Sequence, residues 1–544
     1  VDRTEPRVRW GVPALGAGTV MAVTALVSGC VPTAGESEAA EAADATAAFA
    51  GQTIGWSACY DGTQVDELVE WGSEAAWVEA LECGTVSVPV DYDRPEGETL
   101  DLAVVRAPAQ GAAEERVGSL VVNPGGPGVT GLDMLDYPSF SDEVRASFDL
   151  VSFDPRGVGE SSGFVCGNWN AMVEVRQGFA DADPGDLTDA DLQPLEESAR
   201  AYARDCVDGV GEEFLANIGT VNVVRDLDVL RDALGDERLS YVGYSYGTYI
   251  GALYAEMYPD HARALVLDGA VETDRPNVEV AYDQAMGFQG TWELFAEDCA
   301  TTREGCPFSG AADADEVMAG LTAALDQDPP VVQGTAVDGA TLVSMVSMEL
   351  YYEESWDYLG ELVVALAAGD AVATGEYLDL LYENTYGLYG DEEPAETKPG
   401  EEELDYEVAL TAINCADRDD PTDIAAYRDA ADRAVDESPL FGADLVWDQL
   451  PCAYWPDTEV APTGFTAPDA PPVVVIGTVG DPATPYAWAE ELAGQLETAT
   501  LVTYEGAGHT LYGNDKSACV DDPVDAYLLT GEALGADVSC PSAV

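Results

Sequence analysis

Apolar residues recur along the chain with two different periods. Short segments that alternate apolar and polar, or run apolar for about four to eight positions between Gly, Pro, Asn or Asp, read as strands. Cys83 to Val90 (CGTVSVPV) alternates, and Leu100 to Val105 (LDLAVV) reads as its antiparallel partner. Ser119–Val122, Leu150–Phe153, Leu239–Val242 and Ala264–Leu267 are more continuous, as expected of strands buried on both faces. Helical spacing fills the intervals, so the pattern predicts an α/β protein, a mostly parallel sheet with helices on both faces. Between about 273 and 461 helical spacing takes over, which predicts an inserted helical cap. Strand signals resume at Pro472–Gly477 and Ala499–Tyr504. The expected organisation is a leader over 1–29, a flexible tether over 30–52, the first part of the core over 53–272, the cap over 273–461 and the rest of the core over 462–544.

The leader and tether carry their own signals. Arg3, Arg7 and Arg9 precede a modest apolar run from Gly11 to Val27, and Val27-Ser28-Gly29-Cys30 has the form of a bacterial lipobox. The expectation is an exported protein, either secreted or held at the outer face of the cytoplasmic membrane by lipid on Cys30. The following stretch, rich in Ala, Glu, Thr and Ser, has no apolar period.

Charge narrows the function. With 22 Lys and Arg against 103 Asp and Glu, the formal net charge is −81. Such a surface repels phosphate backbones, which excludes nucleic acid as a partner. Ten cysteines besides Cys30 fit an oxidising compartment and disulfides. Sequence does not fix their connectivity; the simplest pairing joins neighbours, Cys59 with Cys83, Cys166 with Cys206, Cys299 with Cys306, Cys415 with Cys452 and Cys519 with Cys540. With two histidines and no Cys-x-x-Cys, no metal site is expected.

The candidate chemistry centres on Gly243-Tyr244-Ser245-Tyr246-Gly247, set between a strand and a helix-like run. A serine on so tight a turn stands exposed at the helix start, as a nucleophile must. It needs a base within hydrogen-bond reach, and the base needs an orienting acid. His261 precedes a strand and so falls at the amino edge of the sheet, whereas His509 follows the last of the strands named above and shares the carboxyl edge with Ser245. His509 is therefore the expected base. Asp481, after strand 473–476, is the expected acid, with Asp268 as its competitor. The oxyanion donors are expected from the N–H of Tyr246 and from the Asn123–Gly128 loop, at Gly126 or alternatively Gly125. Asp154 and Arg156 are read as braces for these loops.

The runs NPGGPG, DPRGVGES, GYSYGT, GDPATP and GHT occur in this order. The chain thereby resembles the exported actinobacterial tripeptidyl aminopeptidases, relatives of the prolyl aminopeptidases among the α/β-hydrolases. The likeness runs from about Trp56 to Cys540 and includes AINCADRD and CAYWP in the cap. It implies a peptide substrate, no cofactor and an acyl-enzyme on Ser245. Pro124 stands where prolyl enzymes carry the histidine of His-Gly-Gly-Pro-Gly. An aminopeptidase also needs a carboxylate for the substrate's amino terminus, for which Glu353 and Glu354 are candidates. A carboxylesterase or lipase would share the same triad, and a non-catalytic peptide-binding surface lipoprotein would share the fold.

Overall fold

The computed structural model describes residues 46–179, 184–386, 406–514 and 516–543. The leader, Cys30 and most of the tether lie outside the described residues.

A ten-stranded sheet forms the centre. In chain order its strands are β1 (Ser57–Ala58), β2 (Glu82–Pro89), β3 (Thr99–Ala107), β4 (Gly118–Asn123), β5 (Phe148–Phe153), β6 (Leu239–Tyr244) and β7 (Ala262–Asp268). A small hairpin follows, β8 (Val331–Val332) with β9 (Thr335–Ala336), and then β10 (Val473–Gly480), β11 (Ala499–Ala507) and β12 (Val538–Cys540) complete the sheet. The order across the sheet is β1-β2-β3-β5-β4-β6-β7-β10-β11-β12. The strands up to β3 pair antiparallel, and β3 meets β5 antiparallel. From β5 to β12 every pairing is parallel.

Period-two alternation explains why the sheet holds two cores. Val121, Tyr241, Val473 and Val475 enter one hydrophobic cluster, and Leu120, Val122, Val242, Val474 and Ile476 enter the other. Helices Thr220–Leu234 and Tyr246–Met257 cover the first face, and helix Ala518–Thr530 covers the second. Every residue of β4, β5 and β6 is buried, which accounts for the nearly unbroken apolar runs there.

Among the described residues between β7 and β10, the elements from Asn277–Thr302 to Gly442–Trp447 are helices apart from the β8–β9 hairpin. This cap has its own core, with Trp292, Phe295, Met318, Leu342 and Leu362 at its centre. A further cluster joins Leu192, Leu195 and Tyr202, on helix Asp189–Val210, to Tyr427 and Trp447 of the cap. The helical layer above the sheet thus draws on residues from both sides of the Gly-x-Ser-x-Gly turn. The structure pairs the ten described cysteines as neighbours in order, Cys59–Cys83, Cys166–Cys206, Cys299–Cys306, Cys415–Cys452 and Cys519–Cys540. No helix among the described residues is long and apolar enough to cross a membrane.

One ion pair is fully enclosed. Arg156 and Asp226 have side-chain exposures of 1% and 0%. Arg156 donates to both oxygens of Asp226, at 2.8 and 2.6 Å, and to the carbonyls of Val90 and Asn217 at 2.9 Å. Tyr92 donates a further bond to Asp226 at 2.9 Å. Breaking such a pair strands a buried charge, which costs more than the pair contributed. Arg156→Met is expected to lower the urea unfolding midpoint, by the equivalent of about 3–5 kcal/mol. Arg204→Met, which breaks an exposed pair with Asp205, is expected to leave the midpoint unchanged. Equal midpoints for the two variants would contradict this account of the core.

Candidate active site

The Gly-x-Ser-x-Gly turn joins the end of β6 to helix Tyr246–Met257 without a spare residue. Ser245 absorbs the change of direction at φ 54° and ψ −123°. A non-glycine residue in that region is strained by about 1–3 kcal/mol. The surroundings hold it there. Its N–H donates to the carbonyl of Asp268 on neighbouring β7, at 2.9 Å. Gly243 cannot be replaced, because an added Cβ would lie 2.2 Å from the carbonyl oxygen of Gly247.

The Asn123–Gly128 loop lies directly against this turn. Gly125 has φ 102°, and a Cβ there would stand 2.5 Å from the carbonyl oxygen of Tyr244 and 2.8 Å from Cβ of Ser245. Only bare backbone fits so close. Asn123 steadies the loop by accepting the N–H of Gly125 at 3.1 Å. Asp154 steadies its far end, accepting from Gly131 at 2.7 Å, Leu132 at 3.2 Å and Glu160 at 2.8 Å. Gly126 lines the same cavity as Ser245, Tyr246 and His509.

His509 follows β11. Its Nδ1 lies 2.9 Å from each oxygen of Asp481. With Nδ1–H given to the carboxylate, the neutral ring carries its lone pair on Nε2. Asp481 is held in turn by the N–H groups of Ala483 and Thr484 and by the Thr484 hydroxyl, each at 2.9 Å. Thr484 belongs to the GDPATP run, and its place three residues after Asp481 is the spacing of a side-chain-capped turn.

Asp268, the competitor, does something else. One of its oxygens accepts the N–H groups of Leu511 and Tyr512, at 2.7 and 2.8 Å, just beyond His509. Together with its carbonyl bond to Ser245, this makes it a tie between the serine turn and the histidine loop. Its burial pushes its pKa up to about 6, against the lowering effect of those two N–H groups. His261 pairs with Asp228 at 2.7 Å and stacks on Tyr258, below β7. Glu353 and Glu354 do not line the cavity. Glu353 accepts the N–H of Ala507 at 3.3 Å, and Glu354 pairs with Lys516 at 2.9 Å.

The cavity over Ser245 has a volume of about 1080 Å³ and is bounded by both cap and core residues. Phe288, Met348, Tyr351 and Leu410 supply apolar wall, and Glu407, Asp417, Asp448 and Arg418 supply charge. Asp417 also crosses from the cap to the core. It accepts the N–H and the hydroxyl of Thr220, each at 2.6 Å, and so caps helix Thr220–Leu234 from outside. The Thr220 hydroxyl meets the Tyr246 hydroxyl at 2.6 Å. Asp417 belongs to the AINCADRD run, but this link between the cap and the serine turn is not legible there, since its members lie far apart in the chain.

Comparison with known proteins agrees with the geometry. Residues 118–358 match the family model for the alpha/beta hydrolase fold, and residues 438–540 match the model for TAP-like protein. The chain is 35% identical over 475 residues to the serine protease Hip1 of Mycobacterium tuberculosis, covering 84% of this chain and 87% of that one. It is 32% identical over 512 residues to the tripeptidyl aminopeptidase of Streptomyces lividans, covering 92% and 89%. It is 35% identical over 512 residues to carboxylesterase B of Mycobacterium tuberculosis, covering 90% and 92%.

The electrostatics give a test that needs no substrate. Burial pulls the His509 pKa down, but the charge and hydrogen bond of Asp481, with the charge of Asp268, outweigh it and hold the pKa above 6.5. The imidazole therefore stays protonated to a higher pH than a free histidine. With 2 histidines in the chain, their ring protons are readily followed by NMR. His509 is expected to titrate above 6.5, and Asp268→Asn, which removes a nearby negative charge, is expected to move its midpoint down. An unmoved midpoint in the variant would contradict the arrangement.

Proposed function

The chain belongs to the tripeptidyl aminopeptidase-like α/β-hydrolases and is a serine hydrolase, and from that premise we propose that it releases short peptides or residues from the amino terminus of peptide substrates. The observation that carries the reading is the meeting of Ser245, His509 and the Gly126 loop in one capped cavity, with Asp481 behind the histidine.

In this reading His509 Nε2 takes the proton of the Ser245 hydroxyl as the oxygen attacks the substrate carbonyl. The developing oxyanion is held by the N–H groups of Tyr246 and Gly126, which act before any reorganisation is needed. His509 then passes the proton to the leaving amine, and the acyl group stays on Ser245. Water, deprotonated by the same histidine, releases it. Asp481 fixes the imidazole tautomer and stabilises the imidazolium.

The cap bears on substrate choice. A roofed cavity favours short or unblocked peptides over folded chains. With Asp448 paired to Arg176, Glu407 and Asp417 against Arg418 still favour a protonated amine over a second carboxylate. Glu353 and Glu354, the sequence-based candidates for that amine, are occupied outside the cavity. Five disulfides support an oxidising compartment, in line with export and lipid attachment at Cys30. A carboxylesterase reading is kept as the alternative, because one relative carries that name at the same identity as the protease.

The deciding assay compares the purified protein with Ser245→Ala on free-amine peptides, N-blocked peptides and aryl esters. Wild type is expected to cleave free-amine peptides and to spare blocked ones. The variant is expected to lose roughly 10⁴-fold or more in turnover. Undiminished peptide hydrolysis by the variant would overturn the assignment, and cleavage of esters alone would transfer it to the carboxylesterase reading.

A further inference from the structure

The turn from Tyr351 to Glu354 links cap helix Gly339–Glu349 to cap helix Trp356–Ala368. It touches the loop that carries His509 at several points. The His509 N–H donates to the carbonyl of Tyr351 at 2.9 Å. The Ala507 N–H donates to Oε2 of Glu353 at 3.3 Å. Lys516, one of two lysines in the chain, pairs with Glu354 at 2.9 Å and lies 5.6 Å from the ring centre of Tyr352. The Tyr351 ring stands edge-on to the imidazole, with centroids 5.3 Å apart. Between the two bonded residues sits Gly508, at φ 105°, where an added Cβ would come 3.0 Å from the Tyr351 carbonyl oxygen.

From the sheet side, Asp481 holds the ring and Asp268 holds the segment after it. The cap turn holds the same loop from the opposite side. Met348, Tyr351 and Tyr352 meanwhile line the substrate cavity. One short element therefore faces both the space for substrate and the backbone of the base.

We propose that the Tyr351–Glu354 turn is a positioning element for His509, so that the cap sets where the base stands and substrate seated against Tyr351 and Met348 bears on that placement. Glu353 is a positioning residue in this scheme and not the ligand of the substrate amine. The inference rests on His509 being the base proposed above. A catalytic group displaced by a fraction of an ångström loses rate with little change in binding.

The test uses Glu353→Ala and Glu353→Gln in the full chain, assayed on a free-amine peptide and on an aryl ester that has no amine. Glu353→Ala is expected to lower kcat about tenfold on both substrates, with KM held within about twofold and an unchanged melting midpoint. Glu353→Gln is expected to restore most of the rate, because its amide oxygen still accepts the Ala507 N–H. The ring-proton resonance of His509, which needs no turnover, is expected to move in the alanine variant and to stay in the glutamine one. Should the alanine variant fold poorly, Lys516→Met loosens the same turn from the surface and is expected to lower kcat in the same direction. Wild-type kcat and an unmoved resonance in these variants would overturn the proposal. So would a loss confined to the free-amine peptide and equal in the alanine and glutamine variants, which would make Glu353 an amine ligand. An inactive wild type would refute the peptidase reading, while the His509 resonance would still decide the proposal.

Discussion

Ser245 stands at a backbone angle that a side chain rarely adopts, and the centre of the fold is arranged to keep it there. A parallel sheet presents the ends of successive strands along one edge. The serine turn follows β6, the Asn123–Gly128 loop follows β4, Asp481 follows β10 and His509 follows β11. Parallel pairing brings these four chain ends together without any of them being near in sequence. The strain is met by contacts that only bare backbone permits. Gly125 presses on the turn from one side, and Asp268 accepts the Ser245 N–H from the other.

Asp268 shows how one residue can serve two loops. Its backbone joins the serine turn and its carboxylate joins the segment after His509. The serine turn and the histidine loop are thus referred to a single point on β7. The cap adds a second set of ties. Asp417 reaches Thr220 and, through it, Tyr246, while the Tyr351–Glu354 turn reaches the histidine loop. The roof of the cavity is consequently bonded to both the serine turn and the histidine loop beneath it.

Much of this could be read in the chain because it depends on local pattern. The strand–turn–helix around Ser245 and the alternation of buried strands follow from residues close in sequence, and the placing of His261 and His509 at opposite sheet edges follows from whether each precedes or follows its strand. In sequence, position alone favours Asp481 over Asp268; in the structure Asp481 contacts the ring and Asp268 ties loops. What escaped was long-range and made of ordinary residues. Thr220, Tyr351 and Lys516 carry no motif, Asp417 lies in the AINCADRD run with nothing there to name its partner, and these contacts are set by how cap helices seat on the sheet. Glu353 and Glu354 look like solvent-facing or amine-binding acids in sequence, yet each takes a partner beside the histidine loop. Helix Asp189–Val210 packs with the cap although it precedes the serine turn, because amphipathic spacing tells that a helix is covered and not by what.

The central claim is that Ser245 is a nucleophile made reactive by His509. A fluorophosphonate probe, followed by digestion and mass spectrometry, tests it most directly. The account predicts covalent labelling of the peptide containing Ser245 in the wild-type protein, and loss of that labelling in a folded His509→Ala variant. Labelling at another serine, or undiminished labelling of Ser245 without the histidine, would contradict it.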